Sequence, residues 1–156
     1  MKKTILFFLI ISVVVLSSCT GDSHSIEYSD LHSSFYNNED ETKLINLNLL
    51  EDDAITIDTK EIIIEYQNLS DSEITYNDDL QLEYLVDDLW VIVPINEKLL
   101  RKINTNDYIL LPKDTFNHEI NIYDLFGKWQ EGKYRIVKSF KNNDNLLFKS
   151  VEFEVK

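Results

Sequence analysis

Glycine is scarce in this 156-residue chain, with three residues, of which Gly127 and Gly132 fall beyond the first forty positions. A dinucleotide fingerprint or a phosphate-binding loop needs several closely spaced glycines so that backbone amides can approach phosphate. Neither motif is present. Histidine is limited to His24, His32 and His118, and cysteine to Cys19. Three histidines without a second thiol show no zinc-ligand spacing. One cysteine also forbids an intrachain disulfide, so the fold must rest on its hydrophobic core. Basic charge is short as well, with 15 Lys and Arg against 28 Asp and Glu.

The start of the chain carries its own signal. Lys2 and Lys3 precede an apolar run from Ile5 to Leu16 broken only by Ser12, the charged and hydrophobic parts of an export leader. A bilayer span needs about 20 apolar residues, so this run is short for a membrane helix. It ends in Leu16-Ser17-Ser18-Cys19, which resembles the lipobox of bacterial lipoproteins. That resemblance implies cleavage between Ser18 and Cys19 and a diacylglyceryl group on the Cys19 sulfur. An ordinary cleaved leader with an incidental cysteine and an uncleaved anchor helix are the competing readings. The position of the sole cysteine favours the lipoprotein, held on the membrane by its acyl chains.

Removing residues 1–18 takes two lysines and no acid, which leaves 13 basic against 28 acidic residues and a net charge of −15. Such a surface repels nucleic-acid phosphates and anionic headgroups. Nucleic-acid binding and lying flat on a bilayer are therefore excluded as expectations. Cationic partners, including basic peptides and calcium, stay electrostatically open. The acidic pairs Asp52-Asp53, Asp78-Asp79 and Asp87-Asp88 lack the spaced pattern of a dedicated calcium loop, and solvated turns account for them.

Residues 19–43 read as the lipidated cysteine followed by an acidic, polar tether, with Glu39, Asp40 and Glu41 in a cluster. Its 24 residues after Cys19 reach roughly 25 to 30 Å if flexible. Tyr28, Leu31, Phe35 and Tyr36 are unusual in a linker and suggest that part of it docks on the domain.

Residues 44–156 show short β-branched and aromatic runs separated by Asn, Asp, Gly and Pro, the pattern of an all-β sandwich. Ile62, Ile64 and Tyr66 share one strand face. Val151, Phe153 and Val155 alternate with Glu152, Glu154 and Lys156, so one face is buried and the other wet. Leu80 to Val86 and Leu89 to Val93 flank Asp87-Asp88 as a tight hairpin. Ile120 and Ile122 give a further inward face, and 124–130 form a connection with room for a helical turn. About seven antiparallel strands without a disulfide suit an immunoglobulin-like two-sheet sandwich.

Glu131-Gly132-Lys133-Tyr134-Arg135-Ile136-Val137-Lys138 resembles a bacterial immunoglobulin-like domain family of cell-envelope lipoproteins. Glu65 to Ser70, Leu82-Glu83-Tyr84 with Leu89-Trp90, and Leu110 to Asp114 are similar to other segments of that family. The resemblance covers about two thirds of the chain. It implies the fold and an envelope location, with no established catalytic activity. Independently of it, Gly132 followed by Tyr134 suits a tyrosine corner, in which a buried ring hydrogen-bonds backbone through its hydroxyl.

No catalytic residue, metal site or cofactor is expected. Asn117-His118-Glu119 is mid-strand, where neighbours point to opposite faces, so His118 reads as an ordinary strand histidine. Lys138 alternates with Tyr134 and Ile136; an exposed strand end or a snorkelling side chain is expected. Trp90, Tyr123 and Trp129 are candidate contact aromatics because they sit near turns, with a place in the core the equal alternative for each. The expected function is a non-enzymatic binding module displayed outside the cytoplasm toward an envelope or extracellular partner. The alternative is a protease-inhibitor-like or protective lipoprotein presenting a loop such as Asn96 to Asp107.

Overall fold

The computed structural model describes residues 41–50, 55–96 and 106–156. The leader, Cys19, the tether up to residue 40, Asp52-Asp53 and most of the Asn96–Asp107 loop lie outside the described residues.

Among the described residues nine antiparallel strands form two sheets: β1 (Ile45–Leu49), β2 (Glu61–Asn68), β3 (Ile74–Tyr76), β4 (Gln81–Val86), β5 (Leu89–Val93), β6 (Tyr108–Leu110), β7 (Thr115–Asn121), β8 (Gly132–Asn142) and β9 (Asn145–Val155). The smaller sheet runs β1-β2-β7. The larger runs β5-β4-β8-β3-β6, with β9 on the remaining edge of β8. The sequence pattern predicts about seven strands. β3 and β6 have three residues each, too few for a two-residue alternation to stand out.

The strand faces follow composition. β2 buries Ile62, Ile64 and Tyr66, while Ile63, Glu65 and Gln67 turn outward. β9 buries Phe153 and Val155 and exposes Glu152 and Glu154. Ile62 and Ile64 meet Leu82, Ile136 and Phe140 of the larger sheet in one core. Burying an aliphatic or aromatic side chain of this kind contributes about 1.5–3 kcal/mol.

The β4–β5 hairpin turns at Asp87 and Asp88, with φ of 48° and 65°. Two left-handed residues in succession make the turn whose twist matches antiparallel strands, and aspartate tolerates that region better than most residues. After β7, Asn121 caps the short helix α1 (Ile122–Phe126): its side chain accepts the Asp124 amide at 2.8 Å. Gly127, at φ 91°, ends the helix.

β8 is the hub. It pairs with β9 along its whole length, while its other edge is divided between β4 at 134–137 and β3 at Lys141. The change of neighbour leaves backbone carbonyls of the β3–β4 connection without a ladder partner. Lys138 supplies the donors: its ammonium bonds the carbonyls of Asn77 and Asp79. Its side chain is therefore buried, with 1% of its surface exposed, and does not snorkel outward as the sequence suggested.

Candidate functional site

The strongest concentration of exposed apolar surface lies where β6 crosses to β7. Among the described residues, nine large hydrophobic side chains are exposed, and five of them, Leu69, Tyr108, Ile109, Leu111 and Phe116, belong to this corner. Isolated exposed leucines are common; here five surround one turn, with Tyr108 turned toward Tyr76 and Ile109, its neighbour in β6, on the opposite face.

Local chemistry holds the corner rigid. Leu111-Pro112-Lys113-Asp114 is a tight turn with Lys113 at φ 63° and an Asp114 amide bonded to the Leu111 carbonyl at 3.1 Å. Beneath it, the fully buried Asn68 donates from Nδ2 to the carbonyls of Leu110, Leu111 and Ser72 at 3.0, 3.0 and 2.9 Å. Its Oδ1 accepts from the Ser70 amide and hydroxyl at 2.9 and 2.7 Å. Lys113 closes the outside, bonding the Leu69 carbonyl at 2.6 Å and the Asp71 carboxylate at 2.9 Å.

Behind the exposed Phe116 and Tyr108 lies an aromatic cluster. Tyr66 meets Tyr76 and Phe140 edge-on at 5.3 and 5.4 Å, and Tyr76 contacts Tyr108 and Phe116 at 5.4 and 5.6 Å. The Tyr66 hydroxyl is 2.7 Å from His118 Nδ1. Burial pushes the Tyr66 phenol far above its ordinary value and pushes the His118 imidazole below 6.5. Both groups are therefore neutral, and a single hydrogen joins them, carried by the hydroxyl or by Nδ1 according to the imidazole tautomer. Such a phenol is a poor nucleophile, and the nitrogen facing it is already engaged. Tyr108 adds a bond to Asp78 at 3.3 Å.

The other residues singled out in the sequence lie elsewhere. Tyr134 is fully buried, and its hydroxyl both donates to the Gln130 carbonyl at 3.1 Å and accepts the Gln130 amide at 3.2 Å. Gly132 has φ 141°, and a Cβ there would lie 2.6 Å from the Tyr84 ring. Trp129 is a core residue: its indole donates to the Thr59 carbonyl at 2.6 Å and its ring packs on Tyr134 and Phe153. It is corrected from candidate contact to structural residue, since a turn residue can bury its ring when its N–H finds backbone. Tyr123 is half exposed on α1, with Lys60 6.0 Å from its ring centre. Trp90 is half-buried and lies over the Arg135 guanidinium at 4.4 Å. Arg135 in turn pairs with the fully buried Glu83.

Asp78-Asp79 and Asp87-Asp88 flank opposite ends of β4, whose six residues separate them by about 20 Å. They cannot share an ion. Among the described residues no group of three or more potential ligands converges.

Sequence reasoning missed the Tyr66–His118 pair and the Asn68 plug as a network. The only signal for Asn68 was its place in an Asn-x-Ser turn at the end of an apolar strand.

The family model of the bacterial Ig-like domain matches residues 41–154. The chain belongs to the bacterial Ig-like domain family. The Ig-like sandwich described above is thus shared with relatives that bacteria typically display outside the cell. No curated protein matches the chain. Among solved structures, one described as "Crystal structure of protein from Archaeoglobus fulgidus" is similar at 8% identity, covering 72% of this chain and 95% of that one with a TM-score of 0.27. A likeness of that size carries no argument about the Ig-like domain.

Proposed function

We propose that the protein is a membrane-anchored extracytoplasmic lipoprotein whose Ig-like domain is a non-enzymatic interaction module, with the β6–β7 corner as its contact surface. The observation that carries this reading is that five exposed hydrophobic side chains, Leu69, Tyr108, Ile109, Leu111 and Phe116, lie on the segments that meet at the β6–β7 turn. Among the described residues β6 is also the last strand of its sheet, the position at which an extended peptide can add a strand. Asp71 is paired with Lys113 and Asp107 with Lys141, so the partner chemistry this edge suits is an extended apolar segment.

The deciding experiment is capture from envelope extract by the mature chain and by Ile109→Glu/Leu111→Glu. A partner held by the parent and lost by the variant supports the corner; equal capture by both rejects it. The inhibitory alternative shares this region, because the Asn96–Asp107 segment leads directly into β6. A protease as the main captured partner would favour it.

The anchor has its own test. Incorporation of a fatty-acid analogue should be abolished by Cys19→Ala, with release of the protein from membranes. A variant that stays labelled and membrane-bound would refute lipidation at Cys19.

A further inference from the structure

The core opens to solvent on the flank bounded by β6 and β7, the end strands of the two sheets among the described residues. Register turns Tyr76 and Tyr108 of one sheet and Phe116 and His118 of the other toward the interior: Tyr76 pairs with Tyr108, and Phe116 and His118 stand opposite the buried Tyr66 and Ile64. Ile120, on the same face of β7, is 3% exposed, yet Phe116 is 41% and Tyr108 37% exposed. Two inward-turned rings are thus only partly covered. The buried Tyr76 touches both, with interplanar angles of 33° and 37°. Aromatic faces carry the negative side of the ring quadrupole.

Asp78, in the connection from β3 to β4, lies at the rim of these rings. The Tyr108 hydroxyl donates to its carboxylate, and its charge acts on Tyr66, Tyr76 and His118 as well. Asp71, Asp107 and Glu83 each meet a Lys or Arg, whereas among the described residues Asp78 is in no ion pair. Lys138 acts on the same group, but its ammonium is engaged by the carbonyls of Asn77 and Asp79. The two carboxylates of Asp78 and Asp79 also outweigh its single charge. The flank is therefore aromatic, partly open and negative.

We propose that this flank binds the guanidinium of an arginine side chain of the protein's partner, laid against Tyr108 and Phe116 and paired with Asp78. The anchor adds to the apolar contacts of the β6–β7 corner, and it rests on reading that corner as a contact surface. A guanidinium is planar and weakly hydrated, stacks on ring faces and offers a fork of N–H groups to a carboxylate. A lysine ammonium is more strongly hydrated and cannot stack. A strand added to β6 places such a residue here. Its side chain opposite Tyr108 turns to the face that Tyr108 and Tyr76 share, and the one opposite Ile109 turns away from it.

The test is titration of the mature chain with N-acetyl-arginine amide, followed by NMR of the Tyr108, Phe116 and His118 rings. Saturable shifts of these resonances are expected, with upfield ring-current shifts of the ligand's δ protons. N-acetyl-citrulline amide has the same shape without the charge and should leave the rings unmoved. Asp78→Asn should weaken arginine binding about fivefold, and Phe116→Leu should diminish the ring-current shift while keeping apolar bulk. Native resonances of the buried Tyr134 and Trp129 establish that each variant is folded. An equal response to the arginine and citrulline amides, or binding to Asp78→Asn as tight as to the parent, would overturn the anchor. Its failure is distinct from failure of the contact surface. Ile109 pairs with Thr75 on the sheet's other face, so a partner captured through Ile109 and Leu111 with no arginine response overturns the anchor alone.

Discussion

The Lys138 ammonium is bound to the backbone carbonyl of Asp79, fifty-nine positions away, at the place where β8 exchanges one neighbouring strand for another. Burial holds this amine at about 8, well below its ordinary 10.5, although Asp78 and Asp79 pull the other way. An unfolded chain then binds more protons than the folded one between those values, so stability rises with pH from about 8 toward 10. Lys149, opposite Lys138 in the register, is shifted in the same direction by burial. Above 10 the trend reverses, because burial raises Tyr66 and Tyr76 and favours their protonated forms in the fold. Thermal unfolding followed from pH 7 to 11 should show a maximum, and Lys138→Met should flatten its rising limb. A rising limb unchanged in the variant would show that other groups cause it.

On the acid side the pair Tyr66–His118 sets the slope. His118 is depressed below 6.5, so the unfolded chain takes up the proton first and stability falls as pH drops through that region. In Tyr66→Phe the ring loses its 2.7 Å partner, which costs about 1 kcal/mol, and the imidazole gains room for water. Its titration, followed by NMR, should move up toward 6.5. A downward movement would show that burial is not what depresses the imidazole.

Gly132 tolerates no side chain on two independent grounds, its φ of 141° and the Tyr84 ring 2.6 Å from an added Cβ. Gly132→Ala should lose about 2–5 kcal/mol by chemical denaturation. Tyr84→Ala should recover part of that loss in the double variant, since it removes the clash and leaves the backbone strain. Full additivity of the two changes would mean that the ring is not the obstacle.

How far the sequence could be followed depended on how local each cause was. The β4–β5 hairpin was legible because Asp87-Asp88 interrupts two alternating runs, and both residues adopt the left-handed conformation such a turn needs. The faces of β2 and β9 were legible because each is long enough to display its period. β3 and β6 were not, at three residues apiece. The burial of Lys138 was hidden for a different reason: its face could be read from Tyr134 and Ile136, but the carbonyls that satisfy it belong to a loop placed by topology. The same holds for Trp129, whose partner Thr59 is seventy positions away, and for the exposed corner, which assembles Leu69 with residues forty positions later.

Asn68 separates a hydrogen-bonding role from mere size. Its Nδ2 faces three carbonyl oxygens, so Asn68→Ala strands those acceptors and should cost about 2–4 kcal/mol. Asn68→Asp keeps the shape and puts carboxylate oxygen where the donor was. At pH 7 it should be more destabilising than alanine, because a buried charge then opposes three partial negative charges. The same surroundings raise that carboxyl above its ordinary value, so the folded state binds the proton more tightly. The deficit of Asn68→Asp should therefore shrink as pH falls toward 5, where a protonated acid can again donate to one carbonyl. Denaturation of the two variants at pH 7 and pH 5 decides the matter: an aspartate no worse than alanine at pH 7 would remove the plug from the account of the corner. The plug ties the end of β2 to the β6–β7 turn, so loosening it should free that turn without altering Leu111 or Ile109.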